Sequence, residues 1–137
     1  MCIRDSDYVN LSIGDVVSCR EFVLDLDTVS EYVAAVGDRS NIFEPVSASP
    51  MVPPMAVGAL SLRGVLDDLG IPPGTLHAGQ EMKFLDSVLV GETLTCRATI
   101  AQNSVRRGVR LVGVEMDVAR GARTIVMSAK SMIMVPA

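Results

Sequence analysis

Between Met51 and Gly70 the chain reads MVPPMAVGALSLRGVLDDLG, and this stretch limits what everything around it can do. Pro53 and Pro54 end any extended segment before it and pre-set the backbone φ that a first helical turn needs. Val57, Leu60, Leu62, Val65, Leu66 and Leu69 then recur at spacings of one to four, with Gly58, Ala59, Ser61 and Gly64 placing small side chains between them. Only Arg63, Asp67 and Asp68 are charged, and the two acids stand at the C-terminal end, where the helix dipole disfavours them. A helix apolar over most of its circumference must be covered on most sides. Gly70 supplies a stop, and Pro72-Pro73-Gly74 forbids continuation. Everything downstream reads as strand, so the expected cover is a sheet wrapped round this helix.

The composition asks for more cover than one small core gives. Apolar residues make up 49% of the 137, with no Trp, three Phe and two Tyr, so the apolar share is aliphatic and Met-rich. Mean hydropathy is +0.38. One domain over residues 1–137 is expected, with residues 1–8 unordered. The apolar surplus points to an oligomer or a long apolar ligand groove. No run approaches the ~20 apolar residues of a membrane span. A net charge of −4 and a pI near 4.9 argue against a nucleic-acid partner. Cys2, Cys19 and Cys96 are odd in number and lack metal-ligand spacing, and the N-terminal MCIRDSD has no apolar signal region. A cytoplasmic chain with reduced thiols and no metal is the expectation.

Upstream of the apolar helix, Val16 to Leu26 mixes β-branched and aromatic residues with charges in rough alternation and reads as a strand. Thr28-Val29-Ser30-Glu31 has the form of a capping box, opening a short helix that ends at Gly37. The loop from Asp38 to Pro50 is long for a compact domain, and such loops are often functional. Downstream the period becomes two. Strands are expected over Leu76–Phe84, Thr93–Ala101, Val109–Ala119 and Thr124–Val135, with hairpin-like turns at Gly91-Glu92, Arg107-Gly108 and Gly121-Ala122. Leu94, Cys96, Ala98 and Ile100 form one face of the second, and Val112, Val114, Met116 and Val118 one face of the third. Such alternation belongs to an antiparallel sheet with one buried face. The fold class is α+β: about five antiparallel strands round one long buried helix.

Two words in the sequence carry a resemblance. Ala35-Val36-Gly37-Asp38-Arg39-Ser40-Asn41-Ile42-Phe43 resembles the MaoC-family hydratase motif, which runs Gly-Asp, any residue, Asn-Pro, an aliphatic, then His. His77-Ala78-Gly79-Gln80-Glu81-Met82-Lys83-Phe84, followed by Val90-Gly91-Glu92-Thr93-Leu94, resembles that family's strand-and-turn signature. Over about Val16 to Val135 the chain is similar to the fatty-acid-synthase-type dehydratase, or MaoC N-terminal, branch. The resemblance implies a hot-dog fold. It also implies reversible hydration of the 2,3 double bond of an acyl-CoA or acyl-ACP thioester, with no cofactor beyond the substrate's own CoA or phosphopantetheine. A homodimer or a heterodimer with a second hot-dog chain follows from the same resemblance.

That chemistry needs a carboxylate and an imidazole sharing one water, and a backbone N–H at the start of the buried helix for the thioester oxygen. Asp38 matches the carboxylate, so it is the catalytic candidate. Phe43 stands where the family has His and cannot transfer a proton. Pro54 stands where the family usually has Gly, and it has no N–H to give. Losing such a donor costs ~2.7–4 kcal/mol. The expected substrate-binding set is Ser40, Asn41, Phe43, Pro54, Met55, Ala56, Val57, Gly58, His77 and Gln80. His77 reads either as a hydrogen-bonded strand-start residue or as a contact to ligand or to a partner's site. Asp67 and Asp68 read as a solvated helix end, against a thioesterase-like acid; Arg106 and Arg107 read as a charged hairpin tip, against a CoA-phosphate contact. Three functions follow: the acyl-binding half of a hydratase with a degenerate motif, a self-sufficient homodimeric hydratase, or an acyl-CoA thioesterase or binding module.

The two absent groups generate a test. The double change Phe43→His with Pro54→Gly is expected to raise crotonyl-CoA hydration by the chain above background, and either change alone to do little. Both groups act on one transition state, so their effects are non-additive.

Overall fold

The computed structural model describes residues 5–37, 50–121 and 123–136. Its first element is a short 3-10 helix over Asp5–Asn10, so the expected disorder of residues 1–8 is corrected at its C-terminal end. Tyr8 explains the order: its ring is buried and its hydroxyl donates to the Leu69 carbonyl at 2.6 Å. Strand β1 covers Val16–Val23 and stops short of Leu26. Asp25 takes an extended conformation and accepts the Thr28 N–H at 2.8 Å, which caps helix α1, Leu26–Val36. Thr28 is thus inside the first turn rather than the cap. A carboxylate three residues earlier meets the same orphan N–H groups one turn sooner. Gly37, at φ 67°, ends α1 as expected.

Helix α2 runs Pro54–Leu69 and closes on Gly70 in the left-handed region. Four strands follow: β2 over Leu76–Phe84, β3 over Thr93–Arg106, β4 over Val109–Arg120 and β5 over Thr124–Pro136. The sheet order is β1-β3-β4-β5-β2, antiparallel throughout. The turns at Arg107-Gly108 and after Arg120 are hairpins, and Arg106 and Arg107 are exposed at the first tip. Gly91 is not a hairpin turn. It bends the chain at φ 95°, but β2 and β3 belong to opposite halves of the sheet. β3 is already paired on both sides, with β1 and β4, and the Gly91 N–H donates to Leu24. β2 crosses over to the free side of β5, from Leu76↔Met134 to Phe84↔Met127.

The inward rows are those read from the alternation. Leu94, Cys96, Ala98 and Ile100 on β3 and Val112, Val114, Met116 and Val118 on β4 are all buried, joined by Met127, Ala129, Ile133 and Val135 on β5. α2 lies across this face. Ala56, Val57, Val65 and Leu69 are buried against it, the two valines and the leucine each contributing on the order of 1.5–3 kcal/mol. Small residues on α2 permit close approach. A Cβ on Gly58 would stand 2.5 Å from the Met82 sulfur, so any side chain there would make the end of Met82 move.

The C-terminal end of α2 departs from expectation. Asp67 is exposed, but Asp68 is buried and faces β1. Its Oδ2 accepts from Ser18 Oγ at 2.5 Å and Arg20 Nε at 2.9 Å, and its Oδ1 accepts from Arg20 Nη2 at 2.6 Å. This fork ties helix to edge strand, which the sequence pattern did not reveal because the partners are 48 and 50 residues away. The Arg20 guanidinium holds the Asp68 carboxyl below its ordinary 3.8, outweighing the opposing effect of burial, with Ser18 helping.

A depressed folded-state pKa contributes stability above the unfolded value and loses it as pH falls through the folded one. Asp68→Asn is therefore expected to destabilise the protein by about 1–2 kcal/mol at neutral pH. The difference from wild type should shrink below pH 4, as read from urea midpoints across a pH series.

Candidate functional site

The N-terminus of α2 is built from both sides. Ahead of it, Val52 N–H donates to the Val88 carbonyl at 2.7 Å and Val90 N–H to Pro50 at 2.9 Å, with Met51 bridging Leu89. This short ladder, with Val52 and Val88 buried, fixes where the helix begins. The 85–92 connection is held in turn by Arg120 at the end of β4. Its Nη2 donates to the Ser87 carbonyl at 2.5 Å and to Glu92 Oε2 at 3.1 Å, and its Nη1 to Asp86 Oδ2 at 3.1 Å. Glu92 also accepts the Leu89 N–H at 2.8 Å. Sequence reading missed this clamp, although an arginine at a strand end and two acids in one connection are the signal it leaves.

Pro53 caps α2 without a side-chain bond, and Pro54 occupies its first turn. Neither has an N–H, and the Ala56 N–H turns back onto the Pro53 carbonyl at 2.9 Å. Met55 is thus the first residue of the helix with a backbone donor. Pro54 and Met55 are exposed, whereas Ala56, Val57 and Gly58 lie beneath the surface. The cavity here is small, about 40 Å³, and Met51, Pro54, Val57, Phe84 and Val126 line it.

The other expected residues scatter. His77 is the second residue of β2 and sits with Leu66, Asp67 and Ile71 at the C-terminal end of α2. Phe84, at the other end of β2, is the residue that reaches Pro54. Seven residue steps along the strand lead from His77 to Phe84, roughly 23 Å at 3.3 Å per residue. Gln80 lies between them, its Oε1 accepting from Ser131 Oγ at 2.7 Å. Asp38, Ser40, Asn41 and Phe43 lie outside the described residues. On the helix start and the strand end and connection that flank it, Met51, Met55, Phe84, Leu85 and Leu89 are each more than a third exposed. No described helix is long and apolar enough to cross a membrane.

The family model of the FAS1-like dehydratase domain region matches residues 11–128. The chain belongs to that family, and through it to the MaoC-like hot-dog dehydratases. No curated protein matches the sequence. The fold of this FAS1-like dehydratase-region chain is the hot-dog fold, shared with several solved structures. The unliganded R-hydratase PhaJ1 from Pseudomonas aeruginosa is 20% identical at a TM-score of 0.73, over 94% of this chain and 84% of that one. The (R)-hydratase from A. caviae involved in PHA biosynthesis is 17% identical at 0.71, over 92% and 98%. The HadBC (3R-hydroxyacyl-ACP dehydratase) complex from Mycobacterium tuberculosis is 20% identical at 0.70, over 89% and 96%.

If the Arg120 clamp sets the start of α2, Arg120→Ala should speed hydrogen exchange at the Val52 and Val90 amides. Amides in the centre of β4, such as Val114, should exchange as in wild type.

Proposed function

We propose that this chain is the acyl-binding, non-catalytic half of an enoyl-thioester hydratase or 3-hydroxyacyl dehydratase. In this reading a second hot-dog chain brings the working carboxylate and imidazole to the substrate. The observation that carries it is the place of the chain's single histidine. His77 lies at the far end of α2 from Pro54, so within one protomer no imidazole stands at the helix start. Proton transfer and oxyanion stabilisation must meet at one carbon skeleton. Pro54 removes a donor from that same place, and Phe43 replaces the motif's His.

Two features support assembly with a second chain. β2 is an edge strand whose outer side pairs with no strand among the described residues, and nearly all its side chains are exposed. Such an edge invites continuation of the sheet. The exposed ring of Met51, Met55, Phe84, Leu85 and Leu89 then becomes one wall of an acyl groove whose other wall the partner supplies, which uses the apolar surplus. The substrate is a 2,3-unsaturated or 3-hydroxy acyl thioester of CoA or ACP, and it carries the only cofactor group required. HadBC, similar in fold, is itself a complex.

A second reading, the self-sufficient homodimer, rests on the same free edge of β2. Two copies paired antiparallel through β2 about its midpoint would set His77 of the partner subunit opposite Phe84, at the end that lines the Pro54 cavity. An imidazole would then reach the helix start from outside, with Asp38 as the carboxylate.

Crotonyl-CoA hydration separates the two. The purified chain is expected to form dimers by light scattering, to show negligible hydration alone, and to support hydration when co-expressed with a hot-dog chain carrying an intact Gly-Asp…His motif. In that complex Asp38→Asn should leave the rate within a few-fold. Robust hydration by the chain alone, abolished by His77→Ala, would overturn the first reading in favour of the second.

A further inference from the structure

Two acids and no base close α2, at the end where the helix dipole disfavours negative charge, and the fold compensates only one of them. Asp68 has Arg20 and Ser18. Asp67 has no such partner: the ion pairs among the described residues are Arg20–Asp68, Arg120–Asp86, Arg120–Glu92 and Lys130–Glu115, so even Arg63, one turn back, does not pair with it. Asp67 instead lines a cleft of about 460 Å³ at the C-terminal end of the helix. Leu66, Ile71 and Ile133 give the cleft apolar walls, His77 and Thr75 complete it, and no Lys or Arg among the described residues lines it.

His77 reaches this cleft because of a bulge. The register of β2 against β5 shifts so that Gly79 pairs with Met132 and His77 with Ile133. Ile133 is buried in the inward row, and directly opposed side chains share a face, so His77 turns inward as well. Without the extra residue, the alternation from Met82 and Gln80 would carry position 78 inward and His77 out. Bulges that re-aim a side chain concentrate beside functional sites. His77 makes no hydrogen bond to a described residue, and Thr75 gives its hydroxyl proton to the Pro72 carbonyl, which leaves lone pairs on Oγ1. The polar groups of the cleft are thus a carboxylate, an imidazole and a hydroxyl oxygen, all able to accept. The helix end and Asp67 together repel an anion. A metal ion would find too few ligands, since no three of His, Cys, Asp and Glu come together among the described residues. An ammonium group brings three N–H donors and a positive charge.

We propose that this cleft binds a primary ammonium cation carrying a short apolar group. Its charge lies against Asp67, its other N–H groups donate to His77 and Thr75 Oγ1, and its apolar part rests on Leu66, Ile71 and Ile133. The site is at the opposite end of α2 from Pro54, and it uses the one histidine that the acyl-binding reading leaves without a task. It stands whether or not the chain takes part in thioester hydration.

The test titrates n-butylammonium chloride into the full chain at mildly alkaline pH, with 1-butanol as the uncharged counterpart, and follows amide chemical shifts. Saturable shifts with n-butylammonium are expected at Gly70, Ile71, Thr75 and His77, with 1-butanol binding about fivefold more weakly or less. Added salt should weaken the cation and leave 1-butanol unchanged. Asp67→Asn should weaken n-butylammonium about five- to tenfold, the range of one hydrogen bond to a charged group at an open site. The same variant should melt at or above the wild-type temperature, because it removes a negative charge from the wrong end of a helix. His77→Leu should weaken the cation and spare 1-butanol. Absence of saturable shifts at these amides would overturn the proposal. Equal affinity for 1-butanol, which would mean an apolar crevice only, or equal affinity in Asp67→Asn would do the same. An Asp67→Asn chain that melts below wild type or fails to fold would also overturn it, since the carboxylate would then have a structural partner.

Discussion

The fold depends on hiding one helix. α2 is apolar on too many sides to rest on a flat surface, and only a sheet that curls round it can exclude water from Ala56, Val57, Val65 and Leu69 together. Other features follow from that need. The Met82 side chain lies over the bare Gly58 from β2, Asp68 is drawn under β1 by Arg20 and Ser18, and Tyr8 folds over the C-terminal end to bond Leu69. The last two contacts place polar groups in the interior, and each is satisfied there.

The same geometry sets what the helix start can offer. A ladder to residues 88–90 and an arginine clamp hold it rigidly, yet two prolines leave it poor in donors and it opens onto exposed apolar side chains. A rigid, apolar, donor-poor platform suits shaping a chain of methylenes better than stabilising a developing charge. On the proposed reading this division of labour is physical. One hot-dog unit keeps its surface for the acyl group, and the chemistry is left to another.

Elements with strong periodicity were legible in the sequence. α2 begins and ends where its prolines and Gly70 indicate, and the inward rows of β3 and β4 are those of the alternation. What escaped was long-range pairing. Nothing in His77–Phe84 says that its partner is β5 rather than β3, because β pairing is decided by which edge remains free. Asp68 looked like a solvated helix end because its counter-charge, Arg20, is distant in sequence. Thr28-Val29-Ser30-Glu31 has the capping-box pattern, but Asp25, three residues earlier, caps α1 and takes the Thr28 N–H. For the site, the sequence words that carried the resemblance at Asp38–Phe43 lie outside the described residues, while Pro54 and His77 prove to lie at opposite ends of α2.

The crossover of β2 also orders events in time. β3, β4 and β5 follow one another through short turns and can zip as each is made, since closing short loops is fast and entropically cheap. β2 is different: Leu76 must wait for Met134, near the end of the last strand. A ribosome delivers α2 and β2 well before that partner exists, at about 5–20 residues per second. For those seconds the most apolar helix in the chain and an unpaired strand edge are without their cover. The window in which this protein is most exposed to misassociation is therefore written into its strand order, not into its finished surface.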